Sequence, residues 1–145
     1  MSRPHLLDAL RDQVLLCDGG FGARIQGMTL DVERDFWGKE NCTEVLILSR
    51  PDIVRDIHQG YFAAGADMVL TNTFGGSPIT LGEFELEDKA FEINKLGVEL
   101  AREAAEMSGP TSSVPVVSTV TCTKMGMSDP VSALAIFAAL TAALM

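Results

Sequence analysis

Twice in this chain a short apolar run breaks off into polar residues and glycines. Val14 to Cys17 gives way to Asp18-Gly19-Gly20-Phe21-Gly22, and Met68 to Leu70 gives way to Thr71-Asn72-Thr73-Phe74-Gly75-Gly76. A brief apolar run closed by a glycine-bearing turn reads as a buried strand whose last side chains stand at the C-terminal edge of a sheet. A segment with helical spacing lies between the two runs. Strands joined through a helix run parallel, because the crossover must return the chain to the same end of the sheet. In α/β proteins that C-terminal edge is where ligands bind. The repeated pattern therefore restricts the fold class to α/β and points to a rim built from successive strands.

The other elements fit that reading. Pro4 to Asp12 can form a short helix with Leu6, Leu7 and Leu10 on one side. From Gly22 to Cys42 the periodicity is poor, which predicts a long irregular excursion over the rim, with Trp37 as a plug packed under it. Pro51 opens a helix in which Ile53, Ile57, Tyr61 and Ala64 recur at helical spacing, and Gly65 can supply a left-handed stop. A second loop from Gly75 to Gly82 leads to a long helix from about Glu87 to Met107. Its predicted apolar stripe is Phe91, Val98, Ala101 and Ala105. After a turn cluster from Ser108 to Pro115, Val114 to Val117 reads as a third strand, and Asp129-Pro130 opens an apolar helix to Met145. The order is βαβαβα, with parallel strands and right-handed crossovers.

Composition sets the outer bounds. A length of 145 residues suits one domain, and a net charge of -9 with no basic stripe argues against nucleic acid or an anionic membrane as partner. The last apolar stretch is shorter than the ~20 residues that span a bilayer, so it reads as a buried or partner-covered helix. The cysteines, Cys17, Cys42 and Cys122, are scattered and share no Cys-x-x-Cys spacing, which supports neither a disulfide framework nor a local zinc site. With no basic-then-apolar leader, the expected compartment is the reducing cytoplasm.

Asp18 is the foremost candidate for chemistry. A carboxylate at the end of a buried strand can accept hydrogen bonds from an amine or hydroxyl, and Gly19, Gly20 and Gly22 let a ligand approach the backbone closely. A single Asp-Gly pair also serves simply to cap a turn. The loop lacks the dinucleotide spacing, and no Walker lysine follows it. Asn72 and Thr73 offer donors and acceptors for a small polar substrate, although both residue types also favour strand-ending turns. His58 falls mid-helix and reads as a helix-surface residue. Glu83, Glu85, Glu87 and Asp88 suit the start of a helix electrostatically. No catalytic residue and no metal ligand follow from spacing.

Leu15-Leu16-Cys17-Asp18-Gly19-Gly20-Phe21-Gly22 resembles the opening strand and loop of the homocysteine S-methyltransferase family. Asp35-Phe36-Trp37-Gly38, Asn41-Cys42-Thr43-Glu44-Val45-Leu46, Ser49-Arg50-Pro51-Asp52, Ile57-His58, Ala64-Gly65-Ala66-Asp67 and Thr71-Asn72-Thr73-Phe74-Gly75 continue it. The likeness runs nearly unbroken from about Leu7 to Met107 and is closest to the homocysteine-binding module of cobalamin-dependent methionine synthases. The resemblance implies a (β/α)8 TIM barrel with homocysteine as substrate. It also implies a zinc, bound through three cysteines, that holds the substrate thiol as thiolate. In the full enzyme it implies methylcobalamin as donor, recharged from methyltetrahydrofolate. It places Asp18, Gly19, Gly20, Phe21 and Gly22 beside the amino-acid end of homocysteine, with Asn72 and Thr73 on the same rim.

Several positions depart from the family pattern. Leu70 stands where the family has Glu before Thr-Asn-Thr, and Ile47 where it has Asn. Ser118-Thr119-Val120-Thr121-Cys122 replaces a Ser-Ile-Gly-Pro turn, and from Val131 the likeness ends. The family's zinc cysteines belong to later strands, and Cys17, Cys42 and Cys122 are not their counterparts. A whole barrel takes ~250 residues, so residues 1–145 are expected to supply the N-terminal part, about the first three βα units, with 108–145 diverged. Two readings follow. One is part of a methyltransferase that makes methionine from homocysteine but is inactive alone. The other is a non-catalytic remnant that associates with itself or with the missing remainder of a barrel.

Overall fold

The structure is a computed structural model that describes residues 10–108. Its helices are α1 (Phe21–Gln26), α2 (Val32–Asp35), α3 (Leu46–Ser49), α4 (Pro51–Ala63), α5 (Pro78–Gly82) and α6 (Ala90–Met107). Single 3-10 turns at Thr43–Val45 and Glu87–Lys89 precede α3 and α6. The expected third strand at Val114 to Val117, the final apolar helix and all but the end of the first helix lie outside the described residues.

The two apolar runs meet in a parallel bridge between Cys17 and Met68. Leu16 C=O accepts from the Asp67 and Met68 amides at 2.8 and 3.2 Å, and Asp18 N–H donates to Met68 C=O at 3.0 Å. That orientation is the one a helical crossover demands. α4 begins with proline in its first turn, where no N–H partner is lost. It ends as expected before Gly65, whose φ of 101° suits glycine.

The core gathers around α3, α4 and α6. Val45, Leu46, Ile47, Val54, Ile57, Ile93 and Leu100 are buried together. A second cluster of Phe62, Val69, Ala101, Ala104 and Ala105 seats the second extended segment against the helices, where the small alanines permit close approach.

Four expectations need correction. Of the expected α6 stripe, Ala101 and Ala105 are buried, but Phe91 is 70% exposed and Val98 only partly buried. The buried face runs through Ala90, Ile93, Gly97, Leu100, Ala101, Ala104 and Ala105. Its first turns rest on Ile93 and Gly97, and glycine carries no hydrophobic signal to stand out beside phenylalanine. His58 is fully buried rather than on the helix surface, because α4 packs on two sides. The segment after Gly22 is not irregular throughout. It forms α1 and α2, and Asp31 caps α2 by accepting from Arg34 N–H at 2.7 Å. Trp37, at φ 55°, is 43% exposed and so is not a buried plug.

Instead of Trp37, a buried carboxylate secures that region. Asp35 accepts from Arg34 Nε and Nη2 at 3.0 and 2.9 Å, and from Arg50 Nη1 at 3.2 Å. The two guanidiniums hold its carboxyl well below the usual carboxylate range. This link ties α2 to the start of α4.

Candidate functional site

The site begins just after the Cys17–Met68 bridge. Asp18 is half-buried, and its Oδ2 accepts from Leu70 N–H at 3.1 Å. One carboxylate thus joins the end of the first strand to the end of the second. Its Oδ1 accepts from the Cys17 thiol at 3.2 Å. Burial raises the Asp18 carboxyl above the ordinary aspartate value. Burial first, and then the neighbouring carboxylate, push the Cys17 thiol up to about 11. Cys17 therefore stays a neutral thiol at neutral pH.

α4 braces the glycine loop from behind. Tyr61 O–H donates to Gly20 C=O at 3.2 Å. A Cβ on Gly19 would stand 3.3 Å from that hydroxyl oxygen, so the glycine is what lets the tyrosine reach across. Phe21 opens α1 and lays its ring against His58, with centroids 5.5 Å apart. A Cβ at Gly22 would meet nothing within 4 Å, so this side of the loop is open.

The second rim segment turns inward more than its composition suggests. Thr71, Asn72 and Thr73 are buried, and the Thr71 and Thr73 hydroxyls lie 2.8 Å apart. Asn72 Nδ2 donates to Thr43 C=O at 2.7 Å. Glu44 Oε1 accepts from Gly75 N–H at 2.7 Å. On the opposite side, Asn94 Nδ2 donates to Gly76 C=O at 2.6 Å and to Ala90 C=O at 2.7 Å. Phe74 is the residue this segment turns outward, at 78% exposure.

The structure thus brings Asp18 directly to the second segment and leaves the glycine loop accessible, while Asn72 and Thr73 face Thr43 and the packed interior. Thr43, Glu44 and Asn94 were not among the site residues expected from sequence. Glu44 has no local signal. Its partner lies 31 positions along the chain, and only folding brings the two together.

The thiol-activating zinc that the resemblance implies does not fit these residues. Among the described residues, no group of three His, Cys, Asp or Glu side chains could hold a metal. Cys17 keeps its proton, and Cys42 is buried with its thiol also raised by burial. Cys122 lies outside the described residues. No helix of the described region is long and apolar enough to cross a membrane.

Residues 15–142 match the family model for homocysteine S-methyltransferase. The chain belongs to that family. Among characterised relatives it is similar to the methionine synthase of Mycobacterium tuberculosis, at 40% identity over 104 residues, covering 72% of this chain and 9% of that protein. The methionine synthase of Mycobacterium leprae is 41% identical over 101 residues, covering 70% and 8%. The chain therefore spans less than a tenth of the length of these relatives. The metallated form of the homocysteine methyltransferase MmuM from Escherichia coli resembles it with a TM-score of 0.62 at 22% identity, covering 92% of this chain and 44% of that one. The oxidised form gives 0.59 at 24%, covering 77% and 38%. At such identities the likeness is one of fold alone.

Proposed function

We propose that this chain carries about the first three βα units of a homocysteine-binding (β/α)8 barrel. The enzyme it represents transfers a methyl group to the homocysteine thiol to give methionine. The observation that supports this reading is Asp18. It closes the first strand of a chain of this family, holds the Leu70 amide, and stands beside a glycine loop with an open side. A half-buried carboxylate next to accessible backbone amides suits an amino acid, whose ammonium needs an acceptor and whose carboxylate needs donors.

The described residues bind and orient but do not activate. In such an enzyme a bound zinc would favour the deprotonated form of the substrate's own thiol, which is the nucleophilic form. In methionine synthases of the cobalamin type the donor is methylcobalamin, recharged from methyltetrahydrofolate. The reading assigns the described residues substrate recognition, leaves the zinc cysteines to the later strands of the family's barrel, and places the protein in the cytoplasm.

Titration calorimetry with L-homocysteine tests it. The chain should bind weakly, Asp18→Asn should weaken binding about tenfold as one charge-assisted contact is lost, and no methionine should form. Equal affinity of the variant and the parent would defeat the assignment, as would an absence of binding by the parent.

A second reading also has an observation behind it. Val14 and Leu16, in the run expected to be a buried strand, are 88% and 60% exposed and, among the described residues, form no ladder beyond the Cys17–Met68 bridge. A strand with bare apolar side chains is an interface in waiting, which fits a non-catalytic module that self-associates or joins the remainder of a barrel.

A further inference from the structure

Glu44 is buried in the 3-10 turn before α3, and among the described residues the groups that meet its carboxylate are not cations. Its Oε1 accepts from Gly75 N–H at 2.7 Å, and its Oε2 lies 3.3 Å from the Thr43 hydroxyl. That hydroxyl also lies 3.4 Å from Asn72 Oδ1. A threonine has one proton to donate, so it serves one of these two acceptors at a time. The Thr43 carbonyl meanwhile holds Asn72 Nδ2 at 2.7 Å, which fixes the way the amide faces.

Two adjacent residues thus grip the rim segment at two points, one on the Asn72 side chain and one on the Gly75 backbone. The grip leaves no spare room. A Cβ on Gly75 would sit 2.8 Å from Glu44 Oε1. The contact to Gly75 is the closer of the two that Glu44 makes, at 2.7 Å against 3.3 Å to the Thr43 hydroxyl.

We propose that Glu44 is a positioning residue for the substrate rim, holding in place before a ligand arrives the 72–75 segment that continues directly from Leu70, whose amide Asp18 grips. The proposal rests on the homocysteine reading for its ligand, and on the Glu44–Gly75 contact for its geometry. Pre-set geometry matters because a loop that must be ordered on binding loses affinity to that ordering. Asn72 and Gly75 then belong to one rigid unit with Thr43 and Glu44, and Phe74 is presented outward between them.

The test combines homocysteine calorimetry with amide hydrogen exchange on the 145-residue chain. In Glu44→Ala, affinity should fall about tenfold, and exchange at the Gly75 amide should accelerate at least as much. Amides of Ile93 and Leu100 in α6 should keep parental protection. Glu44→Gln, which retains an acceptor oxygen, should return both readouts to within about threefold of the parent. Gly75→Ala breaks the contact from the other side and should reproduce the alanine effect if Glu44→Ala fails to fold. Uniform acceleration of exchange throughout the chain would overturn the proposal, since it marks a merely structural role. Unchanged affinity in a folded Glu44→Ala would overturn it too. If the parent itself binds no homocysteine, the functional reading falls. The exchange data then decide alone, and Gly75 protection that is independent of Glu44 would overturn the positioning role.

Discussion

His58 carries an imidazole into the interior with neither ring nitrogen hydrogen-bonded. Burial alone pushes it down to about 4 from the ordinary histidine value near 6.5. Above both values the ring is neutral folded or unfolded, and it contributes no pH dependence. Between them only the unfolded chain takes up the proton, so stability falls as pH falls through that window. The full drop amounts to roughly 3 kcal/mol, with about 2 kcal/mol of it lost by pH 5. Asp18 acts in the opposite sense, because its raised carboxyl takes up a proton more readily in the folded state. Comparing the parent with His58→Leu isolates the histidine. Urea midpoints measured at pH 7 and pH 5 should differ clearly in the parent and much less in the variant. Equal pH dependence in the two proteins would assign the effect elsewhere. The same residue scale explains Cys17, whose thiol is kept protonated first by burial and then by the Asp18 carboxylate beside it.

Among the elements, α6 shows how packing overrides intrinsic preference. Gly97 lies mid-helix, where alanine is favoured by about 1 kcal/mol on propensity. Yet a Cβ there would lie 2.7 Å from Thr73 Cγ2 and 3.1 Å from Ile47 Cδ1, both buried. Glycine is what allows α6 to approach the rim segment and α3 together. Gly97→Ala should therefore destabilise the fold by about 1–3 kcal/mol, the range for overpacking a filled core, despite its better helix propensity. A thermal melt that rises on this substitution would show that the helix can shift without cost. α2 depends on a different device. It has four residues, too few to hold as a helix by themselves, and the Asp35 link to Arg34 and Arg50 fixes it in place.

At the scale of the whole molecule, the exposed Val14 and Leu16 bear on association. Two apolar side chains turned to water in one short segment are the kind of surface that association covers. Light scattering should show an average mass above that of one 15.6 kDa chain, rising with concentration. Val14→Lys with Leu16→Lys should return it to the monomer by placing charge on the strand. A monomeric mass at every concentration would remove the interface. The family relation and the likeness in fold are independent of this outcome.

Much of this was already legible along the chain. The two strand-to-glycine breaks, the Pro51 helix start, the Gly65 stop and the family motifs are local patterns of a few residues. Local patterns report backbone preference and descent without reference to distant partners. The parallel contact of Cys17 with Met68 follows from the crossover between them. What the linear pattern did not reveal depends on pairs far apart in sequence. His58 looked like a surface residue until α4 was seen to pack on both the core and the glycine loop. The α6 stripe was legible at Ala101 and Ala105 but misplaced at Phe91, because the close approach at Gly97 turns on Thr73 and Ile47, which are distant in sequence. Asn72 turned inward because Thr43 offers its carbonyl, and Glu44 entered the site because Gly75 leaves space for its carboxylate. Sequence by itself determined the family and pointed to the two glycine breaks and to Asp18 as candidates. Tertiary structure alone decided which polar groups are buried against one another, as Asn72 is against Thr43 and Glu44 against Gly75, because buried hydrogen-bond partners are selected by proximity in space.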